Sequence, residues 1–287
     1  MNSKAVDSLP SGGSASGLTD PQDWRSLFVP FAQIVLVANS DVIDIASLQK
    51  AYPAGSTLFI FFNKVYKVLD APFPEHSLLI SRGSAKGANI VYRREVADVV
   101  KFFPKDHFLG IMNIRLNAEE KLNTAADFEN TPTGHLDLSG FCGEFYPEDK
   151  VPTSGFAIAL WLSELKMPAQ IVLAGFSARR SRKWRVVSVH DWNFEQVFLR
   201  LFARLGKISV HDGVAVNAYA ALAKRFPEIS SSEISLAIGE VLSERLGDAN
   251  AEIDKLVSLT NFIREIDNFL RRLKPQFLKR RAKVAAR

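Results

Sequence analysis

The sequence holds one cysteine, Cys142, so no intramolecular disulfide can form. A reducing compartment is the simplest setting for such a chain. No stretch reaches the roughly 18 apolar residues that cross a bilayer. The first residues carry no apolar core of signal-peptide type; residues 1–28, rich in Ser, Gly and Asp, are expected to be disordered. There is no GxGxxG and no GxxxxGK[ST], so neither a dinucleotide fingerprint nor a P-loop is present. The five histidines (His76, His107, His135, His190 and His211) form no HxxxH or HExxH pair, and there is no CxxC. Zinc chemistry therefore lacks a ligand set.

What is present is a chain of 287 residues, 47% hydrophobic and 23% charged, as in an ordinary globular protein. Continuous apolar runs at 33–38, 57–62 and 171–174 predict buried strands, and shorter ones are expected at 78–80, 108–112 and 207–211. Helical spacing is expected at 45–52, 92–103, 156–165, 214–225 and 231–246. Residues 117–149 read as a helix start followed by loop. Strands alternating with helices predict an α/β fold, a Rossmann-like and mostly parallel sheet flanked by helices, with a C-terminal helical extension. The expected division is 1–28 disordered, 29–212 an α/β domain, and 213–287 helical with a basic amphipathic tail.

The densest chemistry lies in 151–195. Thr153, Ser154 and Gly155 precede an apolar helix, and such a helix start offers free N–H groups to an anion. After the strand at 171–174 come Arg179, Arg180, Arg182, Lys183 and Arg185, then His190 and Glu195. A histidine, with an unperturbed pKa near 6.5, can accept a hydroxyl proton at neutral pH, and a helix start disfavours its charged form. Asn39, Ser40 and Asn63 sit where the first two strands should end, the edge at which ligands bind in open α/β sheets. Each has a plain alternative. Asn39 and Asn63 suit turns, His190 could be packed or capping, Glu195 could pair with the basic loop or cap N–H groups, and the basic run could be a solvated loop.

Several of these groups resemble the motifs of the sialyltransferase-like glycosyltransferases. Pro152-Thr153-Ser154-Gly155, then helix, then strand and Gly175-Phe176, is similar to their second motif. His190-x4-Glu195 is similar to their last, and Val37-Ala38-Asn39-Ser40 with Phe62-Asn63 to their first. Ala38 stands where the family has glycine, Phe61 where it has arginine, and the His-Tyr-Tyr type motif is missing from 177–189. The resemblance implies an inverting, metal-independent transferase, with His190 and Glu195 catalytic. Asn39, Ser40, Asn63, Thr153, Ser154 and Gly155 would hold the CMP-activated sugar, and the five basic residues would form a lid or phosphate contact. No metal or other cofactor is implied, because a CMP-sugar carries one phosphate and no Asp-x-Asp clamp is present. The donor would be 3-deoxy-octulosonate (Kdo) or sialic acid, and the acceptor a hydroxyl of a bacterial surface glycan or lipopolysaccharide. Eukaryotic members join their first two motifs by a disulfide; this chain cannot, which fits a cytoplasmic bacterial enzyme.

The C-terminal part adds other partners. Leu256, Leu259, Ile263, Ile266, Leu270, Leu273 and Phe277 follow alternating spacings of three and four, the pattern of a self-associating helix or of one packed on its own domain. Residues 264–287 hold nine Lys or Arg against Glu265 and Asp267, net +7, where the whole chain is +5. Basic residues interleaved with large apolar ones suit an anionic inner-membrane surface, bound peripherally. Nucleic acid is disfavoured, since no aromatic stacking platform is evident. The rival reading is a non-catalytic helical scaffold, tied to membrane or nucleic acid by this tail.

Overall fold

The computed structural model describes residues 13–83, 89–177, 189–211, 225 and 227–273. Seven strands form one sheet: β1 (Gln33–Val37), β2 (Thr57–Phe62), β3 (Ser77–Arg82), β4 (Phe108–Arg115), β5 (Thr133–Asp137), β6 (Gln170–Ala174) and β7 (Ser209–Val210). Their order is β5-β4-β3-β2-β1-β6-β7, and every pairing is parallel. The α/β class and the Rossmann-like parallel sheet expected from the sequence are what the chain forms.

Among the described residues the α-helices that flank the sheet are α1 (Pro21–Phe28), α2 (Ile45–Ala51), α3 (Val96–Val100), α4 (Ser154–Glu164) and α5 (Trp192–Arg204). Alternate strand residues feed two cores. Ile34, Leu36, Leu58 and Ile60 pack in one cluster with residues of α1, α4 and α5, while Val35, Val37, Phe59 and Phe61 pack in the other with those of α2 and α3. Burial on both faces explains why β1 and β2 read as unbroken apolar runs. In α4 every residue from Phe156 to Leu162 is buried, because the helix is enclosed on all sides rather than on one stripe.

Three expectations are corrected. The segment taken as disordered folds from residue 13: the Ala15 N–H donates to the Leu109 carbonyl at 2.7 Å, the Gly17 N–H to Thr133 at 2.9 Å, and Leu18 accepts from the His135 N–H at 2.7 Å. Asp20 then caps α1, Pro21 fills its first position, and Trp24 is fully buried, stacked on Phe28. A Ser/Gly composition reads as disorder, but three backbone bonds and one indole are enough to hold it. The helix expected over 92–103 is short, because Arg94 turns to φ +58° and α3 starts only at Val96. The stretch read as loop contains β5, whose Thr-Gly-His-Leu-Asp has little apolar signal. At Gly134 a Cβ would lie 2.5 Å from the Ala15 carbonyl oxygen and 2.6 Å from Trp24, so glycine lets the N-terminal segment close over this strand.

The chain divides into two units, 1–214 and 215–287. In the second, α6 (Ser231–Leu273) runs 43 residues without a break. Leu242, Leu246, Ile253 and Leu256 are exposed along it. The side chains of Leu259, Ile263, Ile266, Leu270 and Leu273, most of the expected 214–225 helix, and the tail from residue 274 lie outside the described residues. Among the described residues no helix is long and apolar enough to cross a membrane.

Candidate active site

In an open parallel sheet the crevice opens at the carboxyl ends of the strands, where the strand order reverses. Here β1 is paired with β2 on one side and β6 on the other, so the reversal falls between β1 and β6. Gly175, at φ +76°, follows β6, and a Cβ there would lie 2.7 Å from Ile43 and 3.1 Å from the Ser40 Cβ. The turns after β1 and β6 thus touch.

The sequence-predicted residues gather in two groups around this point. In the first, the Asn39 Nδ2 donates to the Phe62 carbonyl at 2.7 Å, which fixes the amide and turns Oδ1 elsewhere. That oxygen is buried and has no partner among the described residues. Asn63 takes φ +38°, a turn conformation that asparagine tolerates, and its Oδ1 accepts weakly from the Arg82 N–H at 3.4 Å. Phe176 joins this group to the second. Its ring packs edge-on to Phe62, with centroids 6.3 Å apart, and lies where a Cβ on Gly155 would come within 2.5 Å. A side chain at position 155 would have to displace this ring, so glycine lets α4 start against it.

The second group is built on residues 151–155. Thr153 caps α4, its Oγ1 accepting from the Phe156 N–H at 3.1 Å. The N–H groups of Ser154 and Gly155 have no acceptor among the described residues. They are the free donors of a helix start. Glu195, 3% exposed, accepts from the Thr153 N–H at 2.7 Å, the Thr153 hydroxyl at 2.7 Å and the Tyr146 hydroxyl at 2.8 Å. Burial raises its pKa, while the bonds from Thr153 and Tyr146 and the Arg82 charge oppose the rise. Glu195 was expected among the catalytic residues; the structure shows its carboxylate binding α5 to the Thr153 turn.

His190 stands just before the α5 cap Asp191, whose carboxylate accepts from the Phe194 N–H at 2.9 Å. The His190 Nδ1 lies 2.6 Å from the Val151 carbonyl oxygen. A carbonyl only accepts, so Nδ1 carries the proton, and the neutral ring keeps its lone pair on Nε2. Burial holds the pKa below 6.5; the Arg82 charge adds to this, while the Val151 carbonyl and Glu120 act against it. The leading cause is therefore burial, not the helix start. The imidazole is oriented and neutral, as a general base must be.

Three residues here had not been singled out from the sequence: Arg82, Glu120 and Tyr146. Arg82 ends β3, and its Nε donates to the Glu120 Oε1 at 2.7 Å and its Nη1 to the Pro152 carbonyl at 3.0 Å. A lone charge closing an apolar strand was the available signal. The Tyr146 hydroxyl also accepts from the Asp191 N–H at 3.0 Å. Arg179, Arg180, Arg182, Lys183 and Arg185 lie outside the described residues. Among the described residues no three His, Cys, Asp or Glu gather as a metal site. Cys142 is buried, which pushes its thiol up to about 12, so it is no nucleophile at neutral pH. A cleft of about 390 Å³ lined by Lys166, Gln170, Lys207 and Ser209 lies at the opposite, amino end of β6 and β7.

Fold and geometry together define an α/β protein with an oriented histidine beside free helix-start donors. Compared with known proteins, the chain matches no family model, no curated protein and no solved structure.

Proposed function

We propose that the chain is an inverting glycosyltransferase that moves an acidic keto-sugar, Kdo or sialic acid, from its CMP-activated donor to a hydroxyl of a surface glycan or lipopolysaccharide acceptor. The observation that carries this reading is the bond from His190 Nδ1 to Val151, two residues before the α4 cap, which leaves Nε2 to take a proton. In a single displacement the acceptor oxygen attacks the sugar C2, its proton passes to Nε2, and the C2–O bond to CMP breaks. The free Ser154 and Gly155 N–H groups suit the donor carboxylate or phosphate. The unpartnered Asn39 Oδ1 suits an N–H or O–H of the nucleoside. With one phosphate on the leaving group, the reaction needs no diphosphate-clamping metal.

The first test is a thermal shift with CMP, CDP, UDP and NAD. CMP is expected to stabilise the protein and the others not; no shift with any nucleotide rejects the reading. With CMP-Kdo and CMP-sialic acid, His190→Ala is expected to lose at least about a hundredfold in kcat. The scaffold reading draws on one observation, the exposed Leu242, Leu246, Ile253 and Leu256 of α6. A phenotype lost on removing α6 alone, in a protein that binds no nucleotide, favours it.

A further inference from the structure

Three consecutive residues, Val151, Pro152 and Thr153, are each bonded through the backbone to a different ionisable side chain. The Val151 carbonyl accepts from His190, the Pro152 carbonyl from Arg82, and the Thr153 N–H donates to Glu195. The end of β3, the residue before the α5 cap, and α5 itself thus converge on one turn. The Arg82 guanidinium is held on two sides, by Glu120 and by the Pro152 carbonyl, and both partners of the ion pair are largely buried, at 14% and 6% exposed. Glu120 is in turn held by the Leu116 N–H at 2.9 Å.

We propose that Arg82 is a positioning residue for His190. With Glu120 as its fixed counter-charge, it holds the turn that orients the imidazole and sets the charge balance under which His190 stays neutral. The role in catalysis rests on the reading of His190 as the base; the coupling of Arg82 to His190 does not. Among the described residues, the charged and titratable groups around His190 are Arg82 from β3, Glu120 from the segment after β4, and its neighbour Asp191, with Tyr146 bonded to Asp191 and Glu195 bonded to Tyr146. The Trp192 ring packs edge-on to the imidazole at 5.4 Å. Of these groups Arg82 disfavours the imidazolium and Glu120 favours it, with Arg82 the larger effect. Like charge in a site sheltered from water gives this sign. The arginine suits the role better than a lysine would, because its planar fork can meet a carboxylate and a carbonyl at once.

The test is an NMR titration of the His190 ring in the full chain without substrate, so it stands whether or not CMP binds. Arg82→Gln removes the positive charge and is expected to raise the His190 pKa. Glu120→Gln removes the negative charge and is expected to lower it further. Arg82→Lys keeps the charge and is expected to hold the pKa low, while loosening the turn and weakening any CMP shift. If Arg82 served packing alone, Arg82→Gln and Glu120→Gln would both loosen the site and move His190 up toward its ordinary value. A rise in Glu120→Gln, or no movement in either variant, overturns the proposal. Should Arg82→Gln fail to fold, the opposite signs expected of Glu120→Gln and a loosened site still decide it. A CMP-silent protein with the expected pKa shifts would reject the transferase reading and leave the coupling standing.

Discussion

The Glu195 carboxylate accepts three hydrogen bonds in a place where burial disfavours its charge. Its substitutions therefore separate charge from bonding. In Glu195→Gln the remaining oxygen can keep Tyr146 and the Thr153 N–H, and the amide can donate to the Thr153 hydroxyl. That variant should cost less than about 1 kcal/mol. Glu195→Ala leaves the Thr153 N–H and the Tyr146 hydroxyl without their acceptor and should cost about 3 kcal/mol. Denaturant unfolding of the two variants checks the difference; equal losses would mean that the charge, not the bonding, holds the turn. Much of this site was legible. Thr153 with Gly155 announced a helix start, and His190 stood out as a lone base candidate. Arg82 and Tyr146 were not, because their roles come from meeting residues far away along the chain, which no local spacing records.

Among the elements, α1 and the segment before it show how composition misleads. A central strand such as β1 or β6 declares itself, since both its faces must be apolar. An edge strand such as β5 needs few apolar side chains, and a Ser/Gly strap over it needs only backbone bonds and Trp24. The strap is expected to be part of the fold. Trp24 is fully buried and its Nε1 donates to the His135 carbonyl at 3.1 Å. Trp24→Ala should cost about 4 kcal/mol by the cavity it leaves. A chain beginning at Val29 should lose at least as much, because it also bares the β5 edge. Thermal unfolding reads both, and a chain beginning at Val29 with unchanged stability would mean that the strap is dispensable.

At the scale of the whole molecule, chemistry and charge are divided between the two units. Every candidate site residue lies within 39–195, inside the first unit, whereas the basic excess lies in 264–287, inside the second. The first unit owns the sheet and both apolar clusters described above. The site's bonds close on themselves there, from Arg82 through Pro152 and Thr153 to Glu195 and Tyr146. A chain ending at Val214 is therefore expected to keep the whole CMP-induced thermal shift. It should lose sedimentation with anionic liposomes, which in the full chain should weaken as salt rises, because the attraction of a solvated basic segment is screened within about 10 Å at 0.1 M. The two readouts are independent. A shortened chain that no longer responds to CMP would mean that the second unit completes the site. Liposome binding unchanged by the truncation would move the membrane contact to the first unit, whose net charge gives no reason to expect it.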